Sequence, residues 1–204
     1  MAETKTVDRL LERQRIIDAA YRCLDRNSGT SASITEILDE AGLGTRAFYR
    51  NFSTKHDLLL EMFRRDREAV LAQLREVVAR ADTPVEALRS WMTHMFDIVS
   101  DPRKRQRMAT FYSEELQRTP GYARELELVE TAHEAAIAAI LHRGRADGTF
   151  TACTPEADAR SIRAAFEAAL IDRFQHKSTT AVSEDVEQLM GFVLRGIGCG
   201  ELAS

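Results

Sequence analysis

The sequence predicts an all-α protein of about nine helices. All four prolines follow a residue that can cap a helix, apolar residues recur at spacings of three and four, and strand-like alternation is scarce. The chain has 204 residues and only 10 glycines, which is enough sequence for one domain or two small ones.

Capping residues mark six helix starts. Proline suits the first helical position because its missing N–H has no partner there, and a preceding Thr or Asp accepts hydrogen bonds from the free N–H groups. Capping boxes, in which a residue three positions later returns a hydrogen bond, identify further starts. The starts are at Thr83-Pro84, Asp101-Pro102, Thr119-Pro120 and Thr154-Pro155, with boxes at Ser33/Glu36 and Thr54/Asp57.

Apolar periodicity places the helices between these marks. The first segment repeats through Leu10, Ile16, Ile17, Ala20 and Leu24, and the fourth through Leu58, Met62, Phe63, Val70, Leu74 and Val77. The segment 102–118 is compatible with two short helices. The predicted helices span 7–27, 34–41, 45–52, 55–81, 84–100, 102–118, 120–146, 155–176 and 183–198.

Composition argues against several protein classes. The longest apolar stretch, 135–141, is far shorter than the ~20 residues that cross a bilayer, so we expect no membrane partner. The first residues lack the apolar core of an export signal, which predicts a cytoplasmic protein. Three cysteines without a CxxC pair predict neither a disulfide framework nor a thiolate metal site. No cofactor is needed to explain folding.

Positive charge is concentrated locally, although the net charge is −4. Residues 1–56 hold nine basic and eight acidic side chains, and the remainder of the chain is net acidic. Within the first part, residues 44–56 carry Arg46, Arg50 and Lys55 and contain neither Asp nor Glu. Local positive charge of this kind is what a nucleic-acid docking surface requires.

The segment 33–52 predicts two short helices joined by a tight turn. Gly42 can adopt the left-handed conformation that ends the first helix. On the second helix, Phe48 and Phe52 are one turn apart and predicted to face inward. That orientation sends Arg46 and Arg50 to the outer side, where Ala47 and Tyr49 flank them.

An outward arginine on such a helix suits the major groove of B-DNA, where its guanidinium can donate to guanine O6 and N7. Arg46 is the predicted base-reading residue, and Arg50 can contact either base or phosphate. Tyr49, Lys55 and the helix start at Ser33 and Thr35 supply sequence-neutral phosphate contacts. The alternative is that the arginines are only solvated and that Phe48, Tyr49 and Phe52 are core or surface aromatics. The complete predicted DNA-binding set is Ser33, Thr35, Gly44, Thr45, Arg46, Ala47, Tyr49, Arg50 and Lys55.

These residues resemble the tetracycline-repressor (TetR) family of bacterial regulators. The similarity runs through Arg15-Ile-Ile-Asp-Ala-Ala20, Ile34-Thr-Glu-Ile-Leu38, Ala41-Gly-Leu43, Phe48-Tyr-Arg-Asn-Phe52 and Lys55-His-Asp-Leu58. It covers about a quarter of the chain. The resemblance implies a dimer of Ω-shaped helical subunits, with N-terminal DNA-binding domains and a ligand-binding domain that releases DNA when occupied.

The resemblance also assigns the family's phosphate-contacting tyrosine and lysine to Tyr49 and Lys55. The sequence departs from the family pattern at three places. Gly44 replaces a capping Ser, Ala47 replaces a Ser or Thr that often touches phosphate, and Ser28-Gly29 replaces a Gly-aromatic pair. These departures affect individual contacts and the operator sequence more than the mode of binding.

We predict a DNA-binding domain over 1–54 and an effector-binding and dimerisation domain over 55–204. Helix 84–100 is apolar around most of its circumference and should be central. Its aromatic and methionine side chains can surround an apolar compound, although a filled core is the alternative. The predicted ligand-binding set is Trp91, Met92, Met95, Phe96, Met108, Phe111, Tyr112, His133 and Phe166.

Two further features have alternative interpretations. His94 and His133 either orient a ligand or are hydrogen-bonded core histidines, and no HxxxH spacing supports a metal. The basic run 103–107 is either a solvated face or an anion contact, such as one to the phosphates of an acyl-coenzyme A.

The last two helices are predicted to form an intersubunit four-helix bundle, because small and apolar residues allow close approach. Two recognition helices then meet major grooves about 34–36 Å apart, or a multiple of that distance, on a near-palindromic operator. The predicted interface set is Ala165, Ala169, Phe174, Leu189, Val193 and Ile197.

The predicted function is a ligand-responsive repressor whose partners are double-stranded DNA, a second copy of the chain and a small hydrophobic or amphipathic effector. An all-helical enzyme and a protein-binding adaptor dimer are the alternatives. The sequence shows no nucleophile with a base, no P-loop and no dinucleotide glycine motif, and the basic stretch 44–56 disfavours the adaptor.

Overall fold

The structure, a computed structural model, describes residues 2–26, 32–176 and 180–200. This part of the chain folds into ten helices without a strand, and its one isolated β-bridge joins Phe150 and Cys199. The predicted all-α class is confirmed. The helices are α1 (Ala2–Arg26), α2 (Ile34–Ala41), α3 (Thr45–Asn51), α4 (Lys55–Ala79), α5 (Pro84–Ser100), α6 (Pro102–Phe111), α7 (Glu114–Gln117), α8 (Tyr122–Ala146), α9 (Pro155–His176) and α10 (Val182–Gly196).

Side-chain caps start several helices where the sequence predicts them. The Ser33 hydroxyl accepts a hydrogen bond from Glu36 N, and the Glu36 carboxylate accepts one from Ser33 N at 2.6 Å. Thr83 and Glu86 form the same reciprocal box before α5. Each box satisfies N–H groups that have no partner within the helix.

The predicted segment 102–118 is divided into α6 and α7. Ser113 caps α7 by accepting from Leu116 N at 3.3 Å, so the chain turns between the two helices. The start predicted at Thr119-Pro120 is wrong by two residues. Gly121 has a φ of +90°, which no right-handed helix accommodates, and α8 therefore begins at Tyr122.

Packing divides the chain into two compact units. The first comprises Met1–Asp66 and Pro102–Ala123, and the second comprises Arg67–Asp101 and Arg124–Ser204. Helix α4 contributes residues to both. The predicted functional domains, residues 1–54 and 55–204, stay a prediction, because the two units are defined by packing and not by function.

The first unit has a core built from α1, α3 and α4. Ile16 and Ile17 of α1 are fully buried, as are Phe48 of α3 and Leu58 and Met62 of α4. These apolar side chains form the core of the unit, in which the short helix α3 packs on α1. Helix α2 also packs on α1 through its own buried residues.

The second unit is centred on α5, which packs against α9 and α10. Trp91, Met92 and Phe96 of α5 are buried, as the sequence predicts for a central helix. Buried Arg173 of α9 binds Asp185 of α10 and donates to the Ser100 hydroxyl at 3.0 Å. Among the described residues, no helix is long and apolar enough to cross a bilayer.

Candidate nucleic-acid interface

Helices α2 and α3 form the predicted helix-turn-helix. Gly42 ends α2 with a φ of +61°, in the left-handed region that glycine adopts without steric cost. The turn is closed by a hydrogen bond of 3.0 Å from Leu43 N to Leu38 O. Helix α3 then starts at Thr45 after Gly44, which has no side chain to cap it.

Two phenylalanines anchor α3 and leave its other side outward. Phe48 and Phe52 are buried, with ring centroids 5.8 Å apart. The Tyr49 side chain is 58% exposed, and its ring packs on Phe48 in an edge-to-face arrangement at 5.4 Å. Arg46 is exposed and makes no hydrogen bond or ion pair with any residue that the structure describes. Its guanidinium is therefore available to an external acceptor.

The remaining predicted DNA contacts fall into different environments. Ser33, Thr35, Gly44 and Thr45 are exposed, and Lys55 is half-buried in the first turn of α4. Ala47 is only 7% exposed and lies on the inner side of α3. Its predicted place beside the exposed arginines is wrong, because its side chain is buried in the core of the first unit. The departure at Ser28-Gly29 lies outside the described residues.

Arg50 is held by the first helix, which the sequence did not indicate. Its Nη2 donates to Glu12 Oε1 at 2.5 Å and to Oε2 at 2.6 Å, and its Nε donates to Oε2 at 3.1 Å. These charge-assisted hydrogen bonds hold the pKa of Glu12 below its usual range. The only available signal was the helical spacing of Arg9, Glu12 and Arg13 on one side of α1.

Part of the predicted effector set forms an aromatic cluster in the second unit. The Trp91 and Phe166 rings are 4.7 Å apart, the Phe96 and Phe166 rings 4.8 Å, and the Trp91 and His133 rings 5.8 Å. Met92 is buried and Met95 is half-buried on α5. The structure therefore brings together the aromatic members of the set that lie on α5, α8 and α9.

Two polar atoms in this cluster have no hydrogen-bond partner among the described residues: Trp91 Nε1 and His133 Nδ1. Trp91 is 1% exposed and His133 is 8% exposed. Burial, together with the charge of Arg163, lowers the pKa of His133 to about 4, which keeps the imidazole neutral at pH 7. The cluster is thus an apolar environment with one free donor and one neutral imidazole nitrogen.

Met108, Phe111 and Tyr112 lie outside the unit that holds this cluster, and their role in effector binding stays a prediction. They lie in the first unit, where the Phe63 ring is 5.6 Å from the Phe111 ring and 5.6 Å from the Tyr122 ring. Arg107 of the basic run lies on the same helix, α6, and binds Asp25 through two nitrogens at 3.0–3.2 Å. These residues therefore connect α6 to α1 and α4.

The predicted dimer residues on α10 are also placed differently. Leu189, Val193 and Ile197 are buried within the chain itself, because α10 packs against α5. The outward apolar residues are Ile171 on α9, 46% exposed, and Phe192 on α10, 61% exposed. On α9, Ala165, Ala169 and Phe174 are half-buried.

No metal site is apparent in the described part of the chain, which has no group of three or more His, Cys, Asp and Glu side chains able to hold an ion. Cys23, Cys153 and Cys199 are free thiols.

Comparisons with known proteins agree with this architecture. Residues 16–62 match the family model for bacterial regulatory proteins of the tetR family. A Staphylococcus aureus HTH-type transcriptional regulator is 24% identical over 94 residues, which is 46% of this chain and 51% of that protein. The chain therefore spans about half the length of the curated relative it matches.

Solved structures of other proteins share the fold at low sequence identity. A putative transcriptional regulator from Pseudomonas aeruginosa PAO1 has a TM-score of 0.73 at 18% identity, over 92% of this chain and 90% of that one. FadR from Bacillus subtilis, solved with stearoyl-CoA, has a TM-score of 0.71 at 17% identity, over 90% and 98%. With its helix-turn-helix, its helical fold and the match over residues 16–62, the chain is similar to bacterial regulatory proteins of the tetR family.

Proposed function

We propose that the protein is a ligand-responsive repressor that binds near-palindromic DNA as a dimer and is released by a small hydrophobic or amphipathic effector. The observation that carries this proposal is the division of α3, with Phe48 and Phe52 buried and Arg46 and Tyr49 outward. The protein acts where its DNA is, in the cytoplasm. Residues 1–54 form the DNA-binding domain and residues 55–204 the effector and dimerisation domain.

Helix α3 enters the major groove and Arg46 reads a guanine. An unpaired guanidinium can donate to O6 and N7 of one base, which discriminates against other bases by about 1–3 kcal/mol. The Tyr49 hydroxyl and Lys55 bind phosphates, and exposed Ser33 and Thr35 at the start of α2 add further backbone contacts. Gly44 and Thr45 lie where α3 approaches the DNA. Ala47 is left out of this set because it is buried.

The dimer forms through α9 and α10. Ile171 and Phe192 are large apolar side chains that remain exposed in the single subunit, and covering them would remove apolar area from water. Ala165, Ala169 and Phe174 complete the α9 side. A two-fold axis then presents two copies of α3 to major grooves about 34–36 Å apart, or a multiple of that distance.

The effector binds at the aromatic cluster of Trp91, Phe96, His133 and Phe166. Their apolar faces suit a hydrocarbon or aromatic ligand, and the unpaired nitrogens of Trp91 and His133 suit a neutral polar group on it. The stearoyl-CoA complex of FadR supports an amphipathic effector for this fold. Effector binding favours an arrangement in which a movement of α4 has misaligned the two recognition helices. A coupling free energy of about 1–3 kcal/mol between effector binding and DNA binding then lowers operator affinity 5- to 150-fold.

The test is selection of binding sites from a pool of random DNA duplexes by the purified protein. We expect a near-palindrome with a guanine facing Arg46, and Arg46→Ala should lower affinity for that site about tenfold or more. Arg80→Ala is the matched control, because it removes the same charge from an exposed position beside Glu76. Recovery of no site, or equal effects of the two variants, would reject the proposed DNA-binding mode.

A further inference from the structure

We propose that Glu12 is a specificity-determining residue, which positions Arg50 so that the guanidinium presents an oriented, charge-compensated donor edge to a DNA base. The inference rests on the proposed function and concerns a residue outside the helix-turn-helix. It assigns to the first helix a part in sequence recognition that goes beyond supporting the fold.

The geometry of the pair determines which part of Arg50 is left for DNA. Glu12 occupies one edge of the guanidinium, formed by Nε and Nη2, through three contacts of 2.5–3.1 Å. Arg50 Nη1 donates to no residue that the structure describes. The terminal edge of a guanidinium is the one that can span O6 and N7 of guanine. The carboxylate therefore orients the side chain without consuming its Nη1 donors.

The backbone beneath Arg50 is held by the same helix. Arg9 Nη2 donates to the Arg50 carbonyl at 2.9 Å, and Arg13 Nη1 donates to the Asn51 carbonyl at 3.0 Å. These carbonyls end α3 and lack partners within it, so the two guanidinium groups cap the helix and complement its dipole. Arg13 is itself placed by Glu61 at 3.1 Å and by the Phe52 ring, 4.3 Å from its guanidinium carbon. Arg50 is thus fixed at its backbone and at its charged end.

Charge compensation changes what Arg50 contributes to binding. An unpaired arginine beside DNA attracts any phosphate, and this attraction does not depend on sequence. The carboxylate of Glu12 cancels most of that attraction at longer range but leaves the directional hydrogen bonds of Nη1. Arg50 therefore adds less to non-specific affinity and more to discrimination between bases.

The pair contributes little to fold stability, because both side chains are partly exposed, 49% for Arg50 and 24% for Glu12. Its removal should leave the protein folded. An effect on DNA recognition can then be separated from an effect on folding, because circular dichroism and thermal melting monitor folding independently.

The experiment compares wild type with Glu12→Gln, using the duplex selected by wild type and a random-sequence duplex of the same length. Affinities are measured over a series of salt concentrations. We expect Glu12→Gln to bind the random duplex more tightly, with a salt slope steeper by about 0.9, because one more phosphate is neutralised. We expect the ratio of specific to random affinity to fall about tenfold, as for one lost base contact.

Two further variants separate position from charge. Glu12→Asp keeps the charge but shortens the side chain, so the affinity ratio should fall while the salt slope stays at the wild-type value. Arg50→Gln should lower the ratio without any rise in affinity for the random duplex. If Glu12 had a purely structural role, the affinity ratio and the salt slope would not change in this way across the three variants.

Glu40→Gln is the matched control. Glu40 accepts from Arg22 at 2.6 Å and from Arg26 at 2.5 Å, so the substitution also removes one negative charge that is paired with arginines of α1. The Glu40→Gln variant should keep the wild-type ratio of specific to random affinity and the wild-type salt slope. The inference is overturned if Glu12→Gln retains the wild-type ratio or if Glu40→Gln changes it equally. Failure of wild type to select any duplex would instead overturn the proposed function.

Discussion

The Tyr21 hydroxyl donates a hydrogen bond of 2.7 Å to the carboxylate of Asp66, joining α1 to α4. The guanidinium of Arg107 on α6 lies over the Tyr21 ring, 4.8 Å from its centroid. Burial raises the pKa of Asp66, and the hydrogen bond from Tyr21 partly opposes this rise. Three helices of the first unit therefore meet near one carboxyl group whose protonation depends on Tyr21.

Tyr21→Phe should destabilise the protein in a pH-dependent manner. The variant removes a hydrogen-bond donor from the Asp66 carboxylate, so it should lower the free energy of unfolding by about 1–3 kcal/mol at pH 7.5. The pKa of Asp66 already lies above its unfolded value and should rise further in the variant. The folded state then binds protons more readily than the unfolded state, so stability is lost as pH rises, and the deficit should be smaller at pH 4.5.

Chemical denaturation at the two pH values measures this difference. Tyr122→Phe provides the control, because the buried Tyr122 hydroxyl has no hydrogen-bond partner among the described residues. Removal of that hydroxyl should leave stability unchanged or slightly increased. A loss in Tyr21→Phe that is the same at both pH values would show that the titration of Asp66 does not depend on the hydrogen bond.

Gly144→Ala and Gly191→Ala should change stability in opposite directions, although both glycines lie inside helices. A Cβ atom on Gly144 would lie 2.1 Å from the buried Phe150 ring, and the resulting displacement should cost about 1–3 kcal/mol. At Gly191 the nearest atom is Arg195 Nη1 at 3.5 Å, so alanine should stabilise α10 by about 0.5–1 kcal/mol. Thermal melting of the two variants checks the signs, and stabilisation by Gly144→Ala would contradict the contact with Phe150.

Local rules account for most of the fold that the sequence predicts. Helices α2, α5 and α9 span the predicted residues, because a cap and a 3.6-residue repeat are both encoded within a few positions. The start of α8 was misplaced because Thr119-Pro120 satisfies the same local rule, whereas the chain enters a left-handed conformation at Gly121. Short-range sequence patterns therefore fail to predict a helix start where the backbone conformation of a following residue, here Gly121, excludes it from the helix.

Side-chain partners were less predictable, because they depend on packing between distant segments. Periodicity indicates that Leu189, Val193 and Ile197 form one apolar face of a helix, but it cannot show that α5 of the same chain covers that face. The outward position of Arg46 followed from the inward phenylalanines of α3 alone. The ion pair between Arg50 and Glu12, which lies 38 positions earlier in the chain, does not follow from any such local pattern.

His133 should remain neutral well below the usual titration range of histidine. Its pKa of about 4 in the folded state lies below 6.5, so the unfolded state binds the additional proton first as the pH falls. This residue should reduce the free energy of unfolding by up to about 3 kcal/mol between pH 6.5 and 4. Measurement of imidazole titration by NMR tests the pKa directly, and a midpoint near 6.5 for His133 would show that the ring is hydrated.

Phe192→Glu should convert the proposed dimer into monomers. The side chain is exposed in the single subunit, so the change should not disturb the core, whereas two carboxylates buried in a symmetric interface would be costly. Sedimentation velocity measures the oligomeric state. Gln188→Glu is the control, because it adds the same charge at another exposed position of α10 and leaves the Phe192 ring in place. Dimers that persist in Phe192→Glu would exclude this interface.

Trp91 should report effector binding directly, because it is the only tryptophan in the chain. If an acyl chain enters the cluster, its contact with the indole and any hydrogen bond from Trp91 Nε1 should change the emission intensity and wavelength. Stearoyl-CoA is the probe and coenzyme A alone is the control, since only the former carries an apolar chain. We expect the emission to change over the same concentration range in which operator affinity falls. Release from DNA without any change in emission would place the effector site away from Trp91.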